Sequence, residues 1–302
     1  MSMPKHVFAF EGYGNSHPGN YSKHNEDMAF VGSSRDQSLA YDELAVLAPT
    51  AEDEVFIFAV ADGVGGSEAG EDASVIAIHT LQRYMGEQAA KVDAGNVAEV
   101  LQDCISEVHH AIVAGAKQNP AKDGMASTLT AVCVFPFGAW LIHVGDSRLY
   151  AFRNGKLQQI SEDQSPVGKL IRELKITEEE AMIHPLRNYI DQALGASDQA
   201  PVGKVSPIDF KDRDIWLLCT DGLSDSLYPE QIQGKFREDY GGSLEQLGCN
   251  LIDAALSAAG RDNLSVVLCR PHAQNGLKRL AASFSRVART ALSKCVPNSD
   301  TP

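Results

Sequence analysis

Three apolar runs in this chain, rich in branched and aromatic residues, end in aspartate: VFIFAVAD at 55–62, AWLIHVGD at 139–146 and IWLLCTD at 215–221. Such runs read as strands, and further ones stand at HVFAF, STLTAVCVF, RLYAF and LSVVLC. Between 136 and 160 they follow one another through short polar breaks, and RNGK at 153–156 is a strong hairpin signal. Consecutive hairpins give antiparallel sheet and disfavour a doubly wound parallel fold. Helical periodicity alternates with the strands at 68–88, 96–117 and 243–258, so the expected class mixes α and β elements.

The chain's 302 residues suffice for one large domain with an appendage. No apolar run approaches the roughly 18 residues of a membrane span, and the first residues lack a basic flank and apolar core, so the expected location is the cytoplasm. A formal charge of −14 argues against nucleic acid as a partner and suits cations. The six cysteines show no CxxC pair, and Cys133, Cys219 and Cys269 stand inside apolar runs, where a thiol behaves as a small buried hydrophobe.

Two segments break the pattern. Residues 161–195 mix short helical pieces with Pro166 and Pro185 and are expected to form a surface flap. Residues 272–302 form a tail in which Leu277, Leu280, Phe284, Val287, Ala288 and Leu292 share one helical face and every charge in GLKRLAASFSRVARTALSK is basic. Such a helix suits its own acidic domain, an acidic partner or a membrane surface.

Four acidic motifs fall at or just after strand ends: Asn25-Glu26-Asp27, Asp62 to Gly66 (DGVGG), Asp221 to Asp225 (DGLSD), and Asp262-Asn263. In three of them glycine follows or closely precedes the aspartate, which lets the backbone turn sharply and expose a carbonyl. Taken singly, each reads equally well as an Asp-Gly turn or a helix cap. If they converge, like charges raise one another's pKa values until a cation sits among them. An all-oxygen ligand set points to Mg²⁺ or Mn²⁺ rather than zinc.

In order and wording these motifs, with GMASTLT at 124–130, VGDSR at 144–148 and SEDQS at 161–165, resemble the metal-dependent protein phosphatases of type 2C over about residues 5–271. The resemblance implies an α+β fold, a four-layer α-β-β-α sandwich of two antiparallel sheets flanked by helices, with 161–195 as the flap of bacterial members. It implies a catalytic domain over 1–271 and two Mn²⁺ or Mg²⁺ per chain, with Asp62 bridging, the Gly63 carbonyl completing one site, and Asp221 and Asp262 holding the other. Asp146 with Asp221 resembles a third, weaker site. Glu26 and Asp27 are expected in the outer shell, and Asn263 as a hydrogen-bonding support. The implied activity is hydrolysis of phosphoserine and phosphothreonine in proteins, by water activated between two cations, in opposition to a Ser/Thr kinase. A binding scaffold of the same fold and a phosphatase of small phosphometabolites are the alternatives.

The sequence departs from the family twice. Ser22, followed by Lys23, stands where members carry a phosphate-binding arginine, and Val64 stands where eukaryotic members carry a histidine. If this stretch is extended, Lys23 points away from Ser22. His109, His110 and His143 read best as packing or solvent-facing residues, and Arg148 as an ion-pairing one.

Overall fold

A computed structural model describes residues 8–35, 43–47, 54–239 and 241–272; the tail helix and Cys295 lie outside them. The strands are β1 (Ala9–His17), β2 (Asp27–Ser33), β3 (Glu43–Leu47), β4 (Phe56–Val64), β5 (Ala126–Ser127), β6 (Leu129–Phe135), β7 (Gly138–Val144), β8 (Arg148–Arg153), β9 (Lys156–Gln159), β10 (Lys204–Ile208), β11 (Ile215–Cys219) and β12 (Leu264–His272). The helices are α1 (Ser67–Gln88), α2 (Val97–Gln118), α3 (Pro166–Arg172), α4 (Glu178–Ala181), α5 (Asp221–Ser224), α6 (Pro229–Glu238) and α7 (Leu244–Ala258).

The strands form two antiparallel sheets, ordered β3-β1-β12-β11-β8-β9 and β10-β7-β6-β4-β2, with β5 pairing β4. The apolar runs are continuous because both faces of each central strand are covered. Along β4, Phe56, Phe58 and Val60 enter the core between the sheets, while Ile57, Ala59 and Ala61 face α1 and α2. Along β11, Trp216 and Leu218 face inward, while Ile215, Leu217 and Cys219 pack against α6 and α7. Helix, sheet, sheet and helix thus form four layers with three apolar cores. Cys133, Cys219 and Cys269 are buried free thiols.

RNGK closes β8 onto β9 with Asn154 and Gly155 both at positive φ, 52° and 76°, as a two-residue hairpin turn requires. β1 runs on through EGYGNSH, beyond the HVFAF run. Gly12 fits there because a Cβ would sit 2.6 Å from Val31 and 2.9 Å from Phe58 across the sandwich. Residues 161–195 contain α3, α4 and one isolated bridge, Ser127 to Leu194. Among the described residues no helix is long and apolar enough to cross a membrane.

Candidate metal centre

The strand ends carry the acids to one end of the sandwich. Asp27 opens β2 and faces Asp62 near the end of β4 in direct register. Asp221 opens α5 just past β11, Asp262 precedes β12, and Asp146 lies in the β7–β8 turn. The glycines serve close approach more than sharp turning. Neither Gly63 nor Gly222 has positive φ, but a Cβ would come within 2.0 Å of the Gly70 carbonyl oxygen at the first and of the Asn263 carbonyl oxygen at the second. The positive-φ turn of this motif falls on Gly65 and Gly66.

Hydroxyl groups fix the acids. Thr220 Oγ1 donates to Asp27 Oδ2 over 2.6 Å and accepts from Ser265 N–H. Thr128 Oγ1 accepts the Asp62 N–H at 2.9 Å and meets Ser147 Oγ at 2.8 Å. Asn263 Oδ1 accepts the Glu26 N–H at 2.7 Å, while its Nδ2 donates to the carbonyls of Pro18 and His24. Thr128 and Thr220 stand inside quoted motifs; their roles depend on register between distant strands, which the sequence does not display.

Asp62, Asp146 and Asp221 keep partial access to solvent, yet desolvation is the largest influence on each. It raises Asp62 well above the usual carboxylate range; Asp27, Asp146 and Asp262 add to this, and a hydrogen bond with Asp221 opposes it. Asp221 is raised by burial and then by Asp62, Asp146, Asp225 and Asp262. Burial also pushes Asp27 and Asp146 up to about 7. Asp225, in the quoted DGLSD motif but given no role from sequence, is pushed up to about 6 and lines a cleft with Asp146, Asp221, Ser224 and Arg187. Asp221 Oδ1 is buried without a hydrogen-bond partner. Among the described residues no three acid, histidine or cysteine side chains converge closely enough to enclose a single ion. The donor set, carboxylates with a backbone carbonyl, is the all-oxygen one that suits Mg²⁺ or Mn²⁺.

Ser22 and Lys23 are both exposed and lie outside any strand, so alternation does not decide where Lys23 points. Ser22 Oγ donates to the His24 carbonyl and accepts the His24 N–H. Arg148 is an ion-pairing residue: its Nε and Nη2 meet Asp163 Oδ2 at 2.8 and 2.7 Å, and Nη1 donates to Tyr150 Oη and Glu178. His109 and His143 are fully buried.

A two-sheet sandwich with outer helices and a cluster of buried acids at one end is the architecture of the protein phosphatase 2C family, and the chain belongs to that family, whose model matches residues 33–263. Within it the chain is of the bacterial type. It is 35% identical over 221 residues to the serine/threonine protein phosphatase PstP of Mycobacterium tuberculosis, a match spanning 72% of this chain and 41% of that protein. It is 34% identical to the serine/threonine phosphatase stp of Listeria welshimeri, over 70% of this chain and 83% of the relative. The fold matches the crystal structure of the M. tuberculosis PstP/Ppp phosphatase with a TM-score of 0.70 at 30% identity, over 87% of this chain and 98% of that one. It matches the PstP catalytic domain in complex with two manganese ions at 0.68 and 29%, over 88% and 100%.

Proposed function

We propose that this chain hydrolyses phosphoserine and phosphothreonine in proteins at a binuclear divalent-metal site formed by the acid end of the sandwich. The observation that carries this reading is the Asp62–Asp221 pair: two adjoining carboxyls raised by burial and by other acids, with Asp221 Oδ1 buried and unpartnered. A buried, unpartnered carboxylate oxygen among like charges suits a cation. The all-oxygen donor set suits Mn²⁺ or Mg²⁺, and the PstP domain of like fold holds two manganese ions.

When bound, two such ions lower the pKa of water, so that a nucleophile exists at neutral pH, and offset charge on the phosphoryl oxygens. Asp62 would be shared between the ions, with the Gly63 carbonyl beside it, and Asp221 and Asp262 would hold the second; Asp146 with Asp221 offers a third, weaker place. Glu26 and Asp27 orient water in the outer shell, Asp27 itself being held by Thr220. Asn263 supports this shell by binding the Glu26 amide and tying down the loop that carries Ser22 and Lys23. A phosphoprotein substrate implies an opposing Ser/Thr kinase and a cytoplasmic setting, and the basic tail serves regulation or location rather than chemistry.

Turnover of a phosphothreonine peptide by the full chain is expected to vanish in chelator and return with Mn²⁺ or Mg²⁺. Full turnover in excess chelator would overturn the metal mechanism. Faster turnover of a sugar phosphate than of the peptide would assign the site to metabolites, and peptide binding without turnover would make the chain a scaffold.

A further inference from the structure

Residues 161–195 leave and rejoin the sandwich at two points, and a buried histidine stands at each. At the first, His143 of β7 has Nε2 3.0 Å from the Glu162 carbonyl oxygen and Nδ1 2.9 Å from Thr130 Oγ1. A carbonyl only accepts, so Nε2 carries a proton. Burial holds the ring below the ordinary histidine pKa, so Nδ1 is bare and takes the Thr130 hydroxyl proton. That hydroxyl also lies 2.8 Å from the Ser147 carbonyl oxygen, and its single proton serves one acceptor at a time. Ser147 Oγ then meets Thr128 Oγ1, which accepts the Asp62 N–H, so one buried polar chain runs from the start of the segment to Asp62.

At the second point, the Gly195 N–H donates to His109 Nδ1 over 3.1 Å, so here too Nδ1 is bare and the proton sits on Nε2, which is buried without a partner. The contact is tight: Gly195 has φ +86°, and a Cβ there would lie 2.4 Å from Ile112 and 2.8 Å from the Met125 carbonyl oxygen. Leu194 exchanges both backbone hydrogen bonds with Ser127, at 2.9 and 2.8 Å. Ser127 Oγ and Thr128 N–H both donate to the Asp62 carbonyl. Both ends of the segment are thus wired to the residue that would be shared between the ions.

We propose that His143 and His109 are positioning residues that pin the two ends of the 161–195 segment and set its stance over the acid end, where it supplies Asp163, Ser165, Met182 and Arg187 to the cleft. The inference rests on the phosphatase reading for its kinetic test and not for its exchange test.

The two pins answer protons differently. A proton added to His143 Nδ1 turns that nitrogen into a donor to Thr130 Oγ1, whose hydroxyl then donates to the Ser147 carbonyl, so every bond survives. Glu162 and Asp163 of the segment favour this charged form; Lys204, in register on β10, is exposed, and Thr130 on β6 is uncharged. A proton added to His109 Nδ1 instead faces the Gly195 N–H, donor against donor, and that bond is lost. Burial and the neighbouring His110 ring hold His109 below its ordinary value, and the Ser197 backbone opposes them. The sign follows: a depressed histidine pKa gives stability that is complete above the ordinary value of 6.5 and is lost as pH falls below it. The rejoining end opens first.

Hydrogen exchange on the full chain, corrected for intrinsic rates, tests this between pH 7.5 and 5.5. Amides around 187–197 are expected to lose protection about tenfold at the lower pH, the cost of one buried hydrogen bond, while β6 and β7 hold within about twofold. His109→Leu, lacking the acceptor, should show the loss at both pH values; His109→Asn, which keeps an oxygen near the Nδ1 position, should stay protected at both. His143→Phe should raise the peptide KM about tenfold with kcat nearly unchanged, and His143→Gln, which keeps an N–H for Glu162, should recover most of it. Protection that ignores pH in the wild-type chain overturns the proposal at His109, as does pH dependence that persists in His109→Leu. Equal damage from Phe and Gln reduces His143 to packing. If the variants fail to fold, wild-type exchange decides alone; if the wild type turns nothing over, the phosphatase reading fails while the exchange result stands.

Discussion

Arg148 and Asp62 lie in neighbouring charge clusters built on opposite rules. Around Arg148 the charges are balanced: desolvation works against the guanidinium, but Tyr150, Asp163 and Glu178 hold it firmly charged, with bonds of 2.7–2.9 Å to Asp163 and Tyr150. Around Asp62 and Asp221 the leading influences after burial are other acids, and among the described residues no cation is among the leading groups acting on Asp27, Asp62 or Asp221. The first cluster is complete as it stands and ties the start of the 161–195 segment to β8. The second costs the fold stability and keeps a vacant oxygen, an arrangement that pays only when something positive arrives from outside.

The contrast breaks most sharply on removal of one acid from each cluster. Asp163→Ala strips the partner from a guanidinium whose side chain is 10% exposed, and unfolding is expected to become easier by about 3–5 kcal/mol in denaturant titration. If Asp163→Ala proves neutral, the balanced cluster is not what holds the segment. Asp221→Asn should do the reverse, removing repulsion and leaving the metal-free protein as stable as wild type or more so. Its turnover of a phosphopeptide should nevertheless fall by about 10²–10³-fold or more, and Asp62→Asn should behave alike. A stable fold with retained turnover would remove these residues from the chemistry.

The smallest effect is expected at the rim. Ser22 is spent on a local turn with His24, so the site has no arginine at the position where the family grips phosphate. Ser22→Arg should lower KM for a small phosphate ester about tenfold, the worth of one charge-assisted contact, with kcat little changed. Lys23→Ala should leave KM within about twofold. A large rise in the latter would show that lysine already supplies the grip.

Much of this was legible in the sequence because it was written in strands covered on both sides. β4, β11 and β12 announce themselves as unbroken apolar runs, and the motifs at their ends mark Asp62, Asp221 and Asp262. What escaped was written in pairings. Half of β1 hides behind Glu11, Gly12 and Gly14; buried Glu11 is paired on β12 with Arg270, directly opposite it, and with His272, two residues further along. β10 carries Pro207, tolerated because it is an edge strand. β2 begins inside an acidic motif, which masked its apolar continuation. The histidines at 109 and 143 read as packing or solvent-facing residues, and both are buried; the backbone groups they hold, Gly195 and Glu162, are fixed by the path of a segment without regular periodicity. Thr128, Thr220 and Ser147 earned no mention as supports because a hydroxyl's role depends on what the fold brings opposite it.

The central claim is that the acid end is unbalanced until cations fill it, and thermal unfolding of the full chain measures this directly. At pH 8, above the value of about 7 to which Asp27 and Asp146 are pushed, these two tend toward the charged form and their repulsion of the neighbouring acids is greater than at lower pH. Chelated wild type should melt below chelated Asp221→Asn. Mn²⁺ at about 100 times its dissociation constant should raise the wild type by the equivalent of about 2.7 kcal/mol and the variant by much less. Equal melting of the two chelated proteins, with no gain on adding Mn²⁺ to the wild type, would contradict the account.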